Sequence, residues 1–222
     1  MKAFAPDGTG NKFSLESTIL AELNHPRIPR FIEAFTHNGV NYLVQEFIEG
    51  YPLSYYIVNG KRFDEEEAKG ILFQLLEILD YLHKPEGNRL PVIHRDLRLS
   101  NLFWHMNKVY LVDFGHARYY KGKSECLLDK TMESSLKMRG SRPEVEAYAL
   151  LRKQISPSSD LFGAGVVGLD LFTNWIEDGT LFQQPWQDIL PASDAYKTFI
   201  EKLLNPEKQF ASAGCSMKYF DK

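Results

Sequence analysis

The chain has 222 residues and 44% hydrophobic content, enough for a sizeable core arranged as one large domain or two small lobes. Lysine and arginine number 26 against 29 aspartates and glutamates, and the resulting net charge of -3 gives no global reason to expect a nucleic-acid or anionic-membrane partner. Cys126 and Cys215 lie far apart without metal-ligand spacing, no apolar run approaches a membrane span and no signal-peptide core follows Met1, a pattern that argues against a disulfide framework and implies a cytoplasmic protein.

In chain order, Met1-Lys2-Ala3-Phe4 reads as a short extended piece, and 6–11 as a turn-rich connection. Leu15, Ile19, Leu20 and Leu23 share one helical face counted from a Ser14 cap, and the helix should stop before His25-Pro26, because proline disfavours helical geometry in its predecessor. Residues 28–35 and 40–47 read as two strands joined at His37-Asn38-Gly39, where Asn-Gly favours a tight hairpin turn. Asp64 and Glu67 form a capping-box pattern, and Ala68, Ile71, Leu72, Leu75, Leu76, Leu79 and Leu82 then keep helical spacing. Its leucines belong to a core.

A polar loop at 84–90 leads into 92–115, on which the chain is organised: Val-Ile-His94-Arg95-Asp96-Leu-Arg98-Leu-Ser-Asn101, an apolar run from Val109 to Val112, then Asp113-Phe114-Gly115. One carboxylate stands five residues before an amide, and a second carboxylate follows twelve residues further on. Phosphoryl transfer needs such groups: one to accept a hydroxyl proton, others to hold Mg²⁺ against phosphates. Residues 116–146 then turn polar without periodicity, a pattern of functional or disordered segments. The run 159–172 is apolar nearly all round, as a centrally buried helix must be. Tyr196, Phe199, Ile200, Leu203 and Leu204 keep helical spacing after a Ser193 cap.

The run 92–115 resembles the protein-kinase signature H-R-D-L-x-x-x-N followed by D-F-G, matched without a gap. The resemblance, to eukaryotic-like Ser/Thr protein kinase domains, implies an α+β two-lobed fold. Residues 1–47 would be a partial small lobe and 48–222 a mostly helical large lobe. It implies ATP and Mg²⁺ as cofactors, with Asp96 orienting the acceptor hydroxyl, Arg98 near the transferred group, and Asn101 and Asp113 holding the metal. Counting along the family pattern puts the ion-pairing helix acid at Glu16 and its lysine partner at Lys2. Gln45 falls at the gatekeeper position, and backbone groups of Glu46 and Ile48 would meet adenine. Asp160 would bond the backbone near His94 and Arg95.

The chain also departs from the pattern. No glycine-rich loop precedes Lys2, which implies a small lobe without its first strands and weakened activity. Gly140-Ser141 fits the segment before Ala-Pro-Glu, but on the ungapped register the three expected positions carry Glu146-Ala147-Tyr148, a shifted register using Pro143-Glu144 instead, and Gln209 replaces an arginine. Losing both members of an ion pair together avoids stranding a buried charge, so Tyr148 and Gln209 are expected to meet instead. In a kinase 116–146 would be the activation segment, with Ser124, Thr131, Ser134 and Ser135 as candidate phosphate carriers for Arg95. Ser141 favours a Ser/Thr acceptor on a protein substrate. The alternatives are a non-catalytic pseudokinase binding nucleotide or partners and, less well matched, a small-molecule kinase.

Overall fold

The computed structural model describes residues 1–4, 10–123, 125–126 and 153–219. Strand β1 (Lys2–Phe4) pairs antiparallel with β3 (Val40–Gln45), which pairs in turn with β2 (Phe31–His37), giving the order β1-β3-β2. Lys2 stands opposite Leu43, so the lysine is tied into a sheet beside a fully buried leucine. Asn38 and Gly39 both take the positive φ that the tight β2–β3 turn requires, 49° and 76°. The strands are offset from the sequence reading. Ile28 lies in a turn closed by its own N–H to His25 O, so β2 begins at Phe31, and β3 ends at Gln45 rather than at 47.

Helix α1 (Gly10–Glu22) packs on β2 and β3 through Ile19 and Leu20. It begins before Ser14, which is therefore no cap: Ser14 lies inside the helix, where its carbonyl accepts from the Ser17 and Thr18 hydroxyls. The helix ends at Glu22, before His25-Pro26, as expected.

Below the sheet come β4 (Tyr51–Pro52), the short helix α2 (Leu53–Val58) and α3 (Glu65–Leu82). Asp64 accepts from Glu67 N at 2.8 Å while Glu67 Oε2 accepts from Asp64 N at 3.1 Å, so the capping box is closed in both directions. The α3 leucines read as core are fully buried, each worth about 1.5–3 kcal/mol relative to exposure. The other end of α3 is held by Arg89, whose guanidinium donates to the carbonyls of Tyr81 and Lys84 at 3.1 Å and lies 4.7 Å from the Tyr81 ring.

Strands β5 (Val92–Ile93) and β8 (Arg118–Tyr119) pair on either side of the catalytic-type segment, and β6 (Leu102–His105) and β7 (Lys108–Leu111) form a hairpin inside it. A two-stranded pair follows, β9 (Glu125–Cys126) with β10 (Gln154–Ile155). Helix α4 (Pro157–Asp170) starts from Ser156, with proline in its first turn, and runs through the core. Its glycines allow close approach, since a Cβ on Gly168 would stand 2.5 Å from Ile200 Cδ1. Ile200 belongs to α6 (Asp194–Leu204), which follows the single turn α5 (Trp186–Ile189) and starts from the expected Ser193 cap. Helix α7 (Ala213–Met217) closes against α3.

Gln209 does not stand idle. Its Oε1 accepts from the Ser158 hydroxyl at 2.5 Å, and its Nε2 donates to Leu203 O at 2.7 Å, joining the segment after α6 to the start of α4. Tyr148, expected to meet it, lies outside the described residues, as do Ser124, Thr131, Ser134, Ser135 and Ser141. Among the described residues no helix is long and apolar enough to cross a membrane.

Candidate active site

Residues 94–101 link β5 to β6, and α4 holds the backbone at the start of this segment. The Asp160 carboxylate, fully buried, accepts from His94 N at 2.8 Å and from Arg95 N at 2.7 Å, and His83 Nε2 lies 2.9 Å from the same group. The turn places Arg95 at φ 67°, a left-handed conformation costing an ordinary side chain roughly 1–2 kcal/mol. Fixed acceptors offset that cost. Arg95 Nη1 also donates to His116 O at 3.1 Å, which ties the loop to the segment after Gly115.

His94 is enclosed. Its Nδ1 accepts from Asp96 N at 3.3 Å and its Nε2 faces Val112 O at 3.2 Å, which assigns the proton to Nε2. Its ring meets Phe114 edge-on at 4.9 Å. Burial pushes its pKa below the ordinary 6.5, so His94 stays neutral in the folded state. The unfolded chain then binds one more proton than the folded one below pH 6.5. This share of stability is complete above about pH 6.5 and is lost as pH falls toward the depressed value. Urea midpoints measured downward from pH 7 should therefore fall more steeply for the wild type than for His94→Asn; parallel curves would contradict a neutral buried ring.

Asp96, nearly buried, receives Asn101 Nδ2 on its carbonyl oxygen at 2.9 Å and on Oδ2 at 3.0 Å. Arg98 Nε stands 3.7 Å from the same Oδ2, with its side chain half exposed. Asn101 sits in a 3-10 turn, Leu99–Asn101, and Val112 N donates to its carbonyl at 3.0 Å. This bond brings the loop beside the segment that leads from β7 to Asp113. With the amide nitrogen committed to Asp96, the side-chain oxygen of Asn101 remains for a hard cation.

A second cluster joins three distant parts of the chain. Lys2 Nζ lies 2.9 Å from both carboxylate oxygens of Glu16 and 2.9 Å from Asp113 Oδ1. Asp113 takes φ 63°, and its Oδ1 also accepts from Gly115 N at 3.3 Å. A Cβ on Gly115 would stand 3.2 Å from Asp113 Oδ1, 3.2 Å from Glu16 Oε2 and 3.3 Å from Lys2 Nζ, so the glycine makes room for the cluster. Burial pulls the Lys2 ammonium down, but the hydrogen bond to Asp113 and the charge of Glu16 outweigh it, and its pKa stands above the ordinary lysine value. Burial pushes Asp113 up, and Lys2 more than offsets this, leaving that carboxyl below its usual range. Glu16 behaves oppositely to Asp113: at 2% exposure its burial exceeds the pull of Lys2, and its carboxyl is raised. Asp113, with a 42% exposed side chain, is the acid of the pair open to solvent.

The structure thus brings Lys2, Glu16 and Asp113 into one cluster and Asp96, Arg98 and Asn101 into another. Glu46 and Ile48 stand apart in the irregular segment after β3. Glu46 N donates to Arg30 O at 2.8 Å and its carboxylate accepts from Arg30 N at 3.2 Å, so of its backbone groups the carbonyl is the one left for a ligand. Sequence reasoning missed His83, Arg89 and Tyr81. Tyr81 accepts from Asn24 N at 2.8 Å through its hydroxyl and lies against His25, latching the loop after α1 to α3. Among these, only a histidine at the end of a strongly patterned helix offered any signal.

Among the described residues no three acidic, histidine or cysteine side chains gather as a preformed metal cage. Mg²⁺ is commonly held by one or two protein oxygens with substrate phosphates and water, and the Asn101 and Asp113 oxygens fit that donor chemistry.

The model of the protein kinase domain matches residues 2–210. Serine/threonine-protein kinase B of Synechocystis is 26% identical over 86% of this chain and 34% of its own length. The probable serine/threonine-protein kinase YbdM of Bacillus subtilis is 37% identical over 48% of this chain and 40% of its own. A probable myosin light chain kinase of Dictyostelium discoideum is 28% identical over 92% of this chain and 54% of its own. The chain thus spans about a third to a half of the length of these curated relatives. Its α+β architecture, its paired clusters and the extent of the family match lead to one conclusion: the chain belongs to the protein kinase domain family.

Proposed function

We propose that the chain transfers the γ-phosphate of ATP to a serine or threonine hydroxyl of a protein substrate. The observation that carries this reading is the pairing of two polar clusters: one lysine bonded at 2.9 Å to both Glu16 and Asp113, and a nearly buried Asp96 bonded to Asn101. Relatives named serine/threonine kinases support the acceptor class.

In this reading the irregular segment after β3 joins a small lobe to a large one and receives adenine on the Glu46 carbonyl and the Ile48 N–H. Lys2, kept charged by its two carboxylates, draws the phosphates toward Asp113. Asn101 and Asp113 would hold Mg²⁺, which supplies charge neutralisation on the phosphate oxygens. Asp96 orients the acceptor hydroxyl and takes its proton, and Arg98 brings positive charge beside it.

The test is transfer of labelled phosphate from Mg²⁺–ATP to serine- and threonine-containing peptides. Asp96→Asn, which keeps the shape of the side chain and removes the base, should lower the rate by roughly 10²–10⁴-fold. Equal transfer by this variant, or label found only on tyrosine, would overturn the assignment.

A further inference from the structure

Helix α1 ends on a carboxylate. Glu22 occupies the last turn, where the helix dipole disfavours negative charge, and that turn carries no basic side chain. A donor comes instead from far along the chain: the Tyr119 hydroxyl donates to Glu22 Oε2 at 2.8 Å. Burial and the neighbouring Glu22 carboxylate push the Tyr119 pKa far up, so the phenol remains a donor throughout the physiological range.

The backbone of Tyr119 is fixed independently. It pairs with Val92 in the β5–β8 ribbon, Tyr120 N donates to Pro91 O at 2.8 Å, and the Tyr119 ring packs against the core. That ribbon enters the loop of His94, Arg95 and Asp96. One side chain therefore spans from the strand pair feeding the catalytic-type loop to the end of the helix that carries Glu16, which lies about 9 Å back along the helix axis.

We propose that Tyr119 is a positioning residue: through Glu22 it sets where α1 stands against the segment after Gly115, and so where Glu16 holds Lys2. The proposal rests on the kinase reading given above. Ile19 and Leu20 keep α1 packed whether or not the strut is present, so its loss shifts the helix without unfolding it.

The variants Tyr119→Phe, Glu22→Ala, Glu22→Gln and Tyr119→Phe/Glu22→Ala separate the strut from general packing. Glu22→Gln keeps an oxygen acceptor. Tyr119→Phe and Glu22→Ala should each lower phosphate transfer about 3–10-fold, the scale of one hydrogen bond, and the double variant should be no worse than either. Glu22→Gln should stay near the wild type. Deuterium uptake over 13–22 should rise in Tyr119→Phe and Glu22→Ala, and not in Glu22→Gln, with little change in the urea midpoint. This second readout needs no activity, so a wild type that transfers no phosphate would sink the kinase reading while the exchange measurement still judged the strut. Unchanged exchange in Tyr119→Phe, additive losses in the double variant, or loosened α1 with full transfer would each overturn the proposal.

Discussion

Replacing Asp160 with alanine should destabilise the fold by about 2–6 kcal/mol, the summed range for leaving two buried backbone donors without an acceptor. Both carboxylate oxygens are used: Oδ1 by Arg95 N and Oδ2 by His94 N, with His83 Nε2 also 2.9 Å from Oδ2. Two buried backbone donors would lose their acceptor, at about 1–3 kcal/mol each. The loop also holds Arg95 at φ 67°, so freeing its backbone lets that residue relax away from the geometry that aims Asp96. Against a typical total of about 5–15 kcal/mol, such a loss would shift the urea midpoint far toward zero. Asp160→Asn should recover only part of it, because its amide nitrogen faces a backbone N–H that needs an acceptor. A midpoint for Asp160→Ala close to the wild type would show that the loop is held by other contacts.

Asp160 was legible in the sequence because the family pattern ties it to the catalytic segment, and α3 was legible because a capping box and leucine spacing are local signals. The sheet was readable in outline for the same reason, through the Asn38-Gly39 turn. Element boundaries followed less well. Ser14 has the chemistry of a cap or of a helix interior, and it falls inside α1, which starts at Gly10. Ile28 has strand propensity yet lies in the turn made by His25-Pro26. What stayed hidden are polar contacts between residues far apart in the chain. Tyr81 on Asn24, Gln209 on Ser158 and Tyr119 on Glu22 leave no periodicity, since each joins elements whose proximity arises only from the tertiary fold. Lys2 is the instructive intermediate. Its position in the order of motifs suggested a role, but its engagement with two acids depends on β1 pairing with β3 to bring it over Asp113.

That engagement makes Asp113→Asn the sharpest test of the site. Asparagine tolerates the left-handed backbone at φ 63° and matches the shape of the side chain, and the side chain is 42% exposed, so folding should be retained. The charge is what disappears. Lys2 keeps Glu16 but loses the charged hydrogen bond to Asp113 that raises its pKa, so its amine should react faster with an acylating reagent at fixed pH. A neutral amide at this position would also be a much weaker magnesium ligand, and phosphate transfer should fall on the order of 10³-fold, as expected when a preorganised charge at the reacting phosphate is lost. Lys2→Met should fall comparably, and Lys2→Met/Asp113→Asn should fall by far less than the product of the two, because each single variant already dismantles the same contact. If Asp113→Asn left transfer intact while Lys2 became more reactive, the cluster would be a structural ion pair. If transfer collapsed with Lys2 unchanged, the acid would act through the metal alone and the lysine would take its place from Glu16.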